Sequence, residues 1–182
     1  MHILALDISG SVTGWCHGLH DAARPVSGTV SWRRHKDESE DDVLRHAGIW
    51  LGQMIATTGA QQVAFEAPIK RSGGGFTNAA SQSMLLTLQG GLRFVVVYQT
   101  GRPAALVPSS TVRKTFIGKG GNFDGDVKLL VQQECLRRGF IDPDQVQGDR
   151  CDAIALWTHM AAKQLPSLAF HPPKPPRAAK ES

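Results

Sequence analysis

Four carboxylates stand where they could act together. Asp7 ends the apolar run ILALD, and Glu66 ends the apolar run QQVAFE. Asp149 and Asp152 lie three residues apart at the start of GDRCDAIALW, and residues three apart on a helix share a face. A carboxylate beside a buried sheet is costly unless it is paired or holds a metal. A single metal site would explain all four acids.

Carboxylate oxygens suit a hard divalent cation such as Mg²⁺, which retains several waters when bound. Two such ions a few ångströms apart can stabilise both the attacking and the leaving oxygen of a phosphodiester. Zinc is not favoured, because no CxxC pair occurs and the histidines are scattered, as His35, His46 and His159 illustrate. The acids therefore indicate metal-dependent phosphodiester chemistry.

Each acid also has a purely structural interpretation, which the sequence leaves open. Asp149 follows Gly148 and could be a helix N-cap, and Asp152 would then be a first-turn acid that suits the helix dipole. Glu66 could be a solvated strand end. Asp7 could bind turn amides, as aspartate often does.

The apolar periodicity predicts the element order βββαβαβαα. Strands are predicted at 2–8, 13–20, 26–32, 61–66 and 104–107. Helical patterns cover 43–55, about 78–98, a short segment after Pro108, about 125–138 and about 148–163. This order predicts an α/β fold with a mixed five-stranded sheet and helices on both faces.

Length and composition predict one domain, which we place at residues 1–165 of the 182, followed by a proline-rich basic tail, 166–182, that we expect to be flexible. The net charge is +4, and the tail carries +2 of it, so a basic partner-binding face would have to be local. No apolar run matches a membrane span and no leader pattern opens the chain, which predicts a cytoplasmic protein. Cys16, Cys135 and Cys151 are expected to be reduced thiols.

Five motifs in order, over roughly residues 2–160, resemble those of the RuvC family of Holliday-junction resolvases. They are LALDISGSVTGW, VAFEAPI, FTNAASQSMLLTLQGGL, VRKTFIGKGGNFDGDVKLLVQ and GDRCDAIALWTH. The four acids fall at the motif positions. The turn Asp7-Ile8-Ser9-Gly10 replaces the family's usual Asp-Pro-Gly and is more similar to phage and mobile-element members.

The resemblance implies an RNase H-like fold and a homodimer that nicks a four-way DNA junction symmetrically, leaving 5′-phosphate and 3′-hydroxyl ends. It implies that Asp7, Glu66, Asp149 and Asp152 hold two Mg²⁺ ions per active site, for which Mn²⁺ would substitute. Asp7 would bridge the two ions, with Glu66 on one side and the two aspartates on the other.

Basic and aromatic residues flank the predicted site. Phe76 is our candidate to stack in an opened junction, whereas Ile69 is the residue that fits the family's simple spacing better. Asn78 lies at a fitting place in its motif. The family's lysine after the glycine loop falls near Asp124, and Lys119 and Lys128 are candidates to replace it. The residues expected to neutralise DNA phosphates are Lys70, Arg71, Arg113, Lys114, Lys119 and Lys128.

Other functions share these acids or this fold. A relaxed flap or fork nuclease and an RNA-processing nuclease would need the same carboxylates. A non-catalytic binder of branched DNA would be expected to lack one of them. Sugar-kinase and actin-like ATPases also open with a strand, an aspartate and a glycine-rich turn, but they need two such domains, for which 182 residues without a repeat are too few.

Overall fold

Five strands form one mixed sheet in the order β3-β2-β1-β4-β5. A computed structural model describes residues 1–10, 12–33, 35, 37–68, 79–120 and 126–169, with the backbone alone at 79 and 80. The strands are β1 His2–Asp7, β2 Val12–Leu19, β3 Val26–Ser31, β4 Gln62–Glu66 and β5 Ala105–Val107. The first three pair antiparallel, whereas β4 pairs in parallel with both β1 and β5.

The helices are α1 Glu40–Thr58, α2 Ala79–Thr100, α3 Ser109–Ile117, α4 Val127–Arg137 and α5 Gly148–Ala162. The side chain of Ser39 caps α1 by accepting a hydrogen bond from the backbone N–H of Asp42. Gly59 ends α1 in the left-handed conformation, with φ 63°, and its N–H donates to the carbonyl of Ile55. Local capping chemistry therefore sets the limits of the first helix.

Alternation along the strands builds two core layers. In β1, Ile3 and Ala5 face a layer formed with α3, α4 and α5, and Leu4 and Leu6 face a layer that includes α1 and α2. α5 is nearly enclosed, since every described side chain from Ala153 to Ala161 is buried. The predicted mixed sheet with helices on both faces is confirmed.

Three helices follow β5, whereas the predicted order has two, because it omits the short segment that becomes α3. A 3₁₀ turn, Pro166–Leu168, packs against α5, and the Arg138 guanidinium donates to the carbonyl of Leu168 at 2.8 Å. All three cysteines are free and buried. Within the described ranges, no helix combines the length and apolar character that crossing a membrane requires.

Candidate active site

Asp7 and Glu66 are neighbours at the carboxyl ends of two parallel strands. Asp7 is the last residue of β1 and Glu66 the last of β4. The strands pair with Leu6 opposite Phe65, so the next residue on each strand is a carboxylate. Since side chains alternate, both acids point to the sheet face that α5 covers.

Gly14 allows α5 to bring the other two acids to this edge. It lies opposite Asp7 in the antiparallel β1–β2 pair. A Cβ atom on Gly14 would lie 1.8 Å from the carbonyl oxygen of Asp149 and 2.9 Å from the backbone nitrogen of Arg150. No other residue type would let the α5 backbone come so close to the strand. The first turn of α5 therefore sits beside Asp7 and presents Asp149 and Asp152 there.

The interpretation of Asp149 as a helix N-cap is wrong. α5 begins at Gly148, and its N-cap is Gln147, which makes no side-chain capping hydrogen bond. Asp149 lies inside the first turn, and Asp152 lies one turn further on and is partly buried. Asp149 is thus a first-turn acid and not the residue that caps the helix.

The carboxylates form one electrostatically coupled group. Burial raises the pKa of Asp7 to about 8, with further contributions from the charges of Glu66, Asp152 and Asp149. Burial and the charge of Asp152 raise the pKa of Glu66 to about 7. Burial also raises the pKa of Asp152, and the charge of Asp149 adds to that rise. Burial and the neighbouring acids therefore both disfavour the ionised form of these carboxyl groups.

Two cations from separate helices lie beside the acids. Lys128, in the first turn of α4, lowers the pKa values of Asp7, Glu66 and Asp152 against the larger effect of burial. Arg113, in α3, does the same for Glu66 and Asp152. These two predicted DNA-binding residues are thus placed at the acid cluster, and their contact with DNA stays a prediction.

The remaining predicted DNA-binding residues are placed differently. Lys114 is exposed in the last turn of α3. Lys119 is exposed and lines a separate groove of about 260 Å³ with Gln133 and Arg137 of α4. Four others lie outside the described residues, and their roles stay predictions: Lys70, Arg71, Phe76 and Asn78.

The donor set fits hard divalent cations. All four acids offer oxygen ligands, and Mg²⁺ sites typically combine one or two carboxylates with water. Among the described residues, no group of three or more His, Cys, Asp or Glu side chains converges as the ligands of a single ion. Four acids that no single ion gathers are compatible with ligands shared between two ions.

Two residues that hold Glu66 are not evident from the sequence. The Gln89 side-chain amide in α2 donates to the main-chain carbonyl of Glu66 at 3.1 Å. The Ser109 hydroxyl, at the start of α3, lies near the Glu66 carboxylate and lowers its pKa slightly against the larger effect of burial. The one signal in the sequence that could have indicated Gln89 is its polar side chain beside the apolar positions Leu88 and Leu92.

The raised pKa values predict how the metal-free protein responds to pH. With pKa values of about 8 for Asp7 and about 7 for Glu66, the folded state binds more protons than the unfolded state at neutral pH. The free energy of unfolding should therefore fall as pH rises from 6.5 to 8.5. We expect a loss of at least about 1.4 kcal/mol, or about 3–6 °C in Tm, by calorimetry in EDTA.

The Asp7→Asn variant serves as the control for this pH dependence, because it lacks the carboxyl group with the higher pKa. Its Tm should fall less than that of the wild type over the same pH range. A Tm that rises with pH in the wild type, or identical slopes in the two proteins, would contradict the electrostatic coupling.

Solved structures of RuvC and of a Holliday junction resolvase are similar to this fold. RuvC from Thermus thermophilus superposes with a TM-score of 0.68 at 15% identity, over 91% of this chain and 97% of RuvC. The same protein in complex with a Holliday junction substrate gives a TM-score of 0.68 at 14% identity, over 93% and 98% of the two chains. The yeast mitochondrial Holliday junction resolvase Ydc2 gives 0.63 at 10% identity, over 90% and 78%.

No protein-family model matches the sequence, and a search of curated proteins gives no match. The relationship therefore rests on three-dimensional structure, which extends over nearly the whole chain in each comparison with RuvC. At 10–15% identity, the likeness shows that the overall fold is shared. The chain has the RNase H-like fold of the RuvC Holliday-junction resolvases.

Proposed function

We propose that the protein is a divalent-metal-dependent endodeoxyribonuclease that resolves Holliday junctions by paired symmetric nicks, leaving 5′-phosphate and 3′-hydroxyl ends. The observation that carries this proposal is the meeting of Asp7, Glu66, Asp149 and Asp152 at one sheet edge. The fold is shared with a Thermus thermophilus RuvC that was solved with a Holliday junction substrate. Acidic residues and fold together support phosphodiester hydrolysis on branched DNA.

The four acids would hold two Mg²⁺ ions, with Mn²⁺ as a substitute. When bound, such ions supply Lewis-acid stabilisation of a phosphoryl group and a nucleophile at neutral pH. Asp7 is the central ligand in this proposal, because its carboxylate interacts with each of the other three. The burial that raises its pKa also keeps competing water away from the carboxylate.

Arg113 and Lys128 would bind the DNA backbone on either side of the reacting phosphate. Both lie beside the carboxylates, on α3 and α4. A phosphate bound through metal ions on the acids would lie close to them. Their contacts would be electrostatic and not sequence-specific, so junction binding should weaken as salt concentration rises.

A substrate panel tests the proposal. Labelled four-way junction, matched linear duplex, flap and RNA duplex are incubated with Mg²⁺, Mn²⁺ or EDTA. We expect metal-dependent nicks in the junction alone. Equal cleavage of flaps would indicate a relaxed branched-DNA nuclease, and preferred cleavage of RNA would indicate an RNA-processing enzyme. Junction binding without cleavage in any metal would indicate a binding protein.

The proposed activity requires two active sites related by two-fold symmetry, and the described part of the chain has a single acid cluster. We therefore propose a homodimer, and an apolar face of α1 and α2 suits it. On α2, Phe94 and Tyr98 are 71% and 78% exposed and their rings stack. Beside them lies a groove of about 470 Å³.

The groove between α1 and α2 lies next to an aromatic ridge, which Phe94 and Tyr98 form on α2. Gly48 and Gly52 of α1 contribute no side chains to it, whereas Phe94 and Tyr98 project beside it. None of the described residues that line it is charged, which is typical of the core of a protein interface. In a two-fold pair, the aromatic ridge of each copy would lie in the groove of the other.

Replacing Tyr98 by Glu should convert the dimer to a monomer, because a charge would be buried in an apolar interface. Sedimentation analysis measures the mass, and junction cleavage should lose the pairing of its nicks. Leu129→Glu, at an exposed apolar position on α4, is the matched control. A dimer that survives Tyr98→Glu, or a monomeric wild type, would contradict the proposed interface.

A further inference from the structure

Gln89 is a buried amide within the apolar face of α2. Its side chain is 6% exposed, and its neighbours Leu88 and Leu92 are fully buried. Burying an amide is costly unless the amide is hydrogen-bonded. An apolar residue would suit this layer better, so the amide calls for a specific explanation.

The partner of Gln89 is the main chain of a proposed metal ligand. The Nε2 atom of Gln89 donates to the carbonyl of Glu66 at 3.1 Å, across 23 residues of sequence. The pairing of β4 with β1 reaches Phe65, one residue before Glu66. Gln89 therefore holds the strand at the point where this pairing ends and the carboxylate begins.

Glu66 is fixed from two further directions. The adjoining Ala67 N–H donates to the carbonyl of Val107 in β5 at 2.9 Å. The Ser109 hydroxyl approaches the Glu66 carboxylate from the start of α3 and lowers its pKa slightly. β5 holds the same stretch through the pairing of Glu66 with Val107. Of these contacts, the Gln89 bond is the one made by a buried side chain to the Glu66 main chain, so its loss would leave that carbonyl without this donor and loosen the backbone on the α2 side.

We infer that Gln89 is a positioning residue that sets the Glu66 carboxylate for divalent metal, an inference that rests on the proposed function. The amide acts on the ligand through the main chain and touches neither metal nor DNA. Outer-shell partners that orient metal ligands commonly account for a 10–100-fold change in metal affinity. α2 thus has two roles. Its buried Gln89 positions a ligand of the acid cluster, and its exposed side carries the aromatic ridge.

The test is calorimetric binding of Mn²⁺ to the full-length protein without DNA. Gln89→Met keeps the length of the side chain and removes the donor, and Gln89→Leu is a second non-donating variant. Gln133→Met, at an exposed position on α4, is the matched control. We expect Mn²⁺ affinity to fall about 10-fold in both Gln89 variants, as for outer-shell partners of other metal ligands, and to stay at the wild-type value in the control.

Circular dichroism and Tm establish that each variant is folded. Equal Mn²⁺ affinity in wild type and both Gln89 variants overturns the positioning role and leaves the proposed function intact. Failure of both Gln89 variants to fold would make Gln89 a core residue and also overturns it. Absence of Mn²⁺ binding by the wild type overturns the metal-dependent function together with this inference.

Discussion

Asp7→Asn is expected to abolish junction cleavage while leaving junction binding largely unchanged. The substitution keeps the shape of the side chain and removes the charge that interacts with Glu66, Asp149 and Asp152. We expect the cleavage rate to fall more than about 100-fold, because loss of a mere outer-shell partner already costs about 10–100-fold. Binding should persist, since the residue is a proposed metal ligand and makes no proposed DNA contact.

The matched control for Asp7→Asn is Asp144→Asn, an exposed acid in the 3₁₀ turn that precedes α5. It should cleave as the wild type does. Single-turnover rates with saturating protein separate cleavage from binding, which is measured by gel shift in Ca²⁺ or EDTA. Metal-dependent nicking by pure Asp7→Asn protein at the wild-type rate would remove Asp7 from the active site.

The second large effect is predicted for Gly14→Ala. The added Cβ would meet the carbonyl oxygen of Asp149 at 1.8 Å and its carbonyl carbon at 2.3 Å. Both are main-chain atoms, so relief requires α5 to move away from β2 and to carry Asp149 and Asp152 with it. We expect a loss of about 3 kcal/mol in unfolding free energy, at the upper end of overpacking effects, and loss of cleavage.

Gly90→Ala is the control for Gly14→Ala, because a Cβ at Gly90 meets no atom within 4 Å and the residue lies inside α2. This substitution should be neutral or stabilising, since alanine has the higher helix propensity. Denaturant unfolding measures both variants. A Gly14→Ala protein with wild-type stability and activity would show that α5 does not depend on this close approach.

Much of the framework could be predicted because it is local in the sequence. Asp7 and Glu66 are recognisable as carboxylates that end apolar strands, and the three-residue spacing of Asp149 and Asp152 is a property of one helix. Parallel strands place their carboxyl ends together, so the shared edge follows once the strands are assigned. These features need no knowledge of how the layers pack.

The parts that were not predicted depend on packing between distant segments. The close approach of Gly14 to Asp149 and the hydrogen bond from Gln89 to Glu66 each join elements far apart in the chain. Periodicity indicates the helix that carries Phe94, but an apolar side chain looks the same whether it is buried or exposed. Only the tertiary arrangement shows that Phe94 and its neighbour Tyr98 face outward.

The proposed junction-resolving activity is tested most directly by mapping nicks on a four-way junction labelled in each strand in turn. With Mg²⁺, wild-type protein should cut two opposite strands at symmetric positions and leave ends that ligase can rejoin. EDTA and Asp7→Asn should each abolish both cuts. Nicks that persist in EDTA, or that occur equally in the matched linear duplex, would contradict a metal-dependent resolvase.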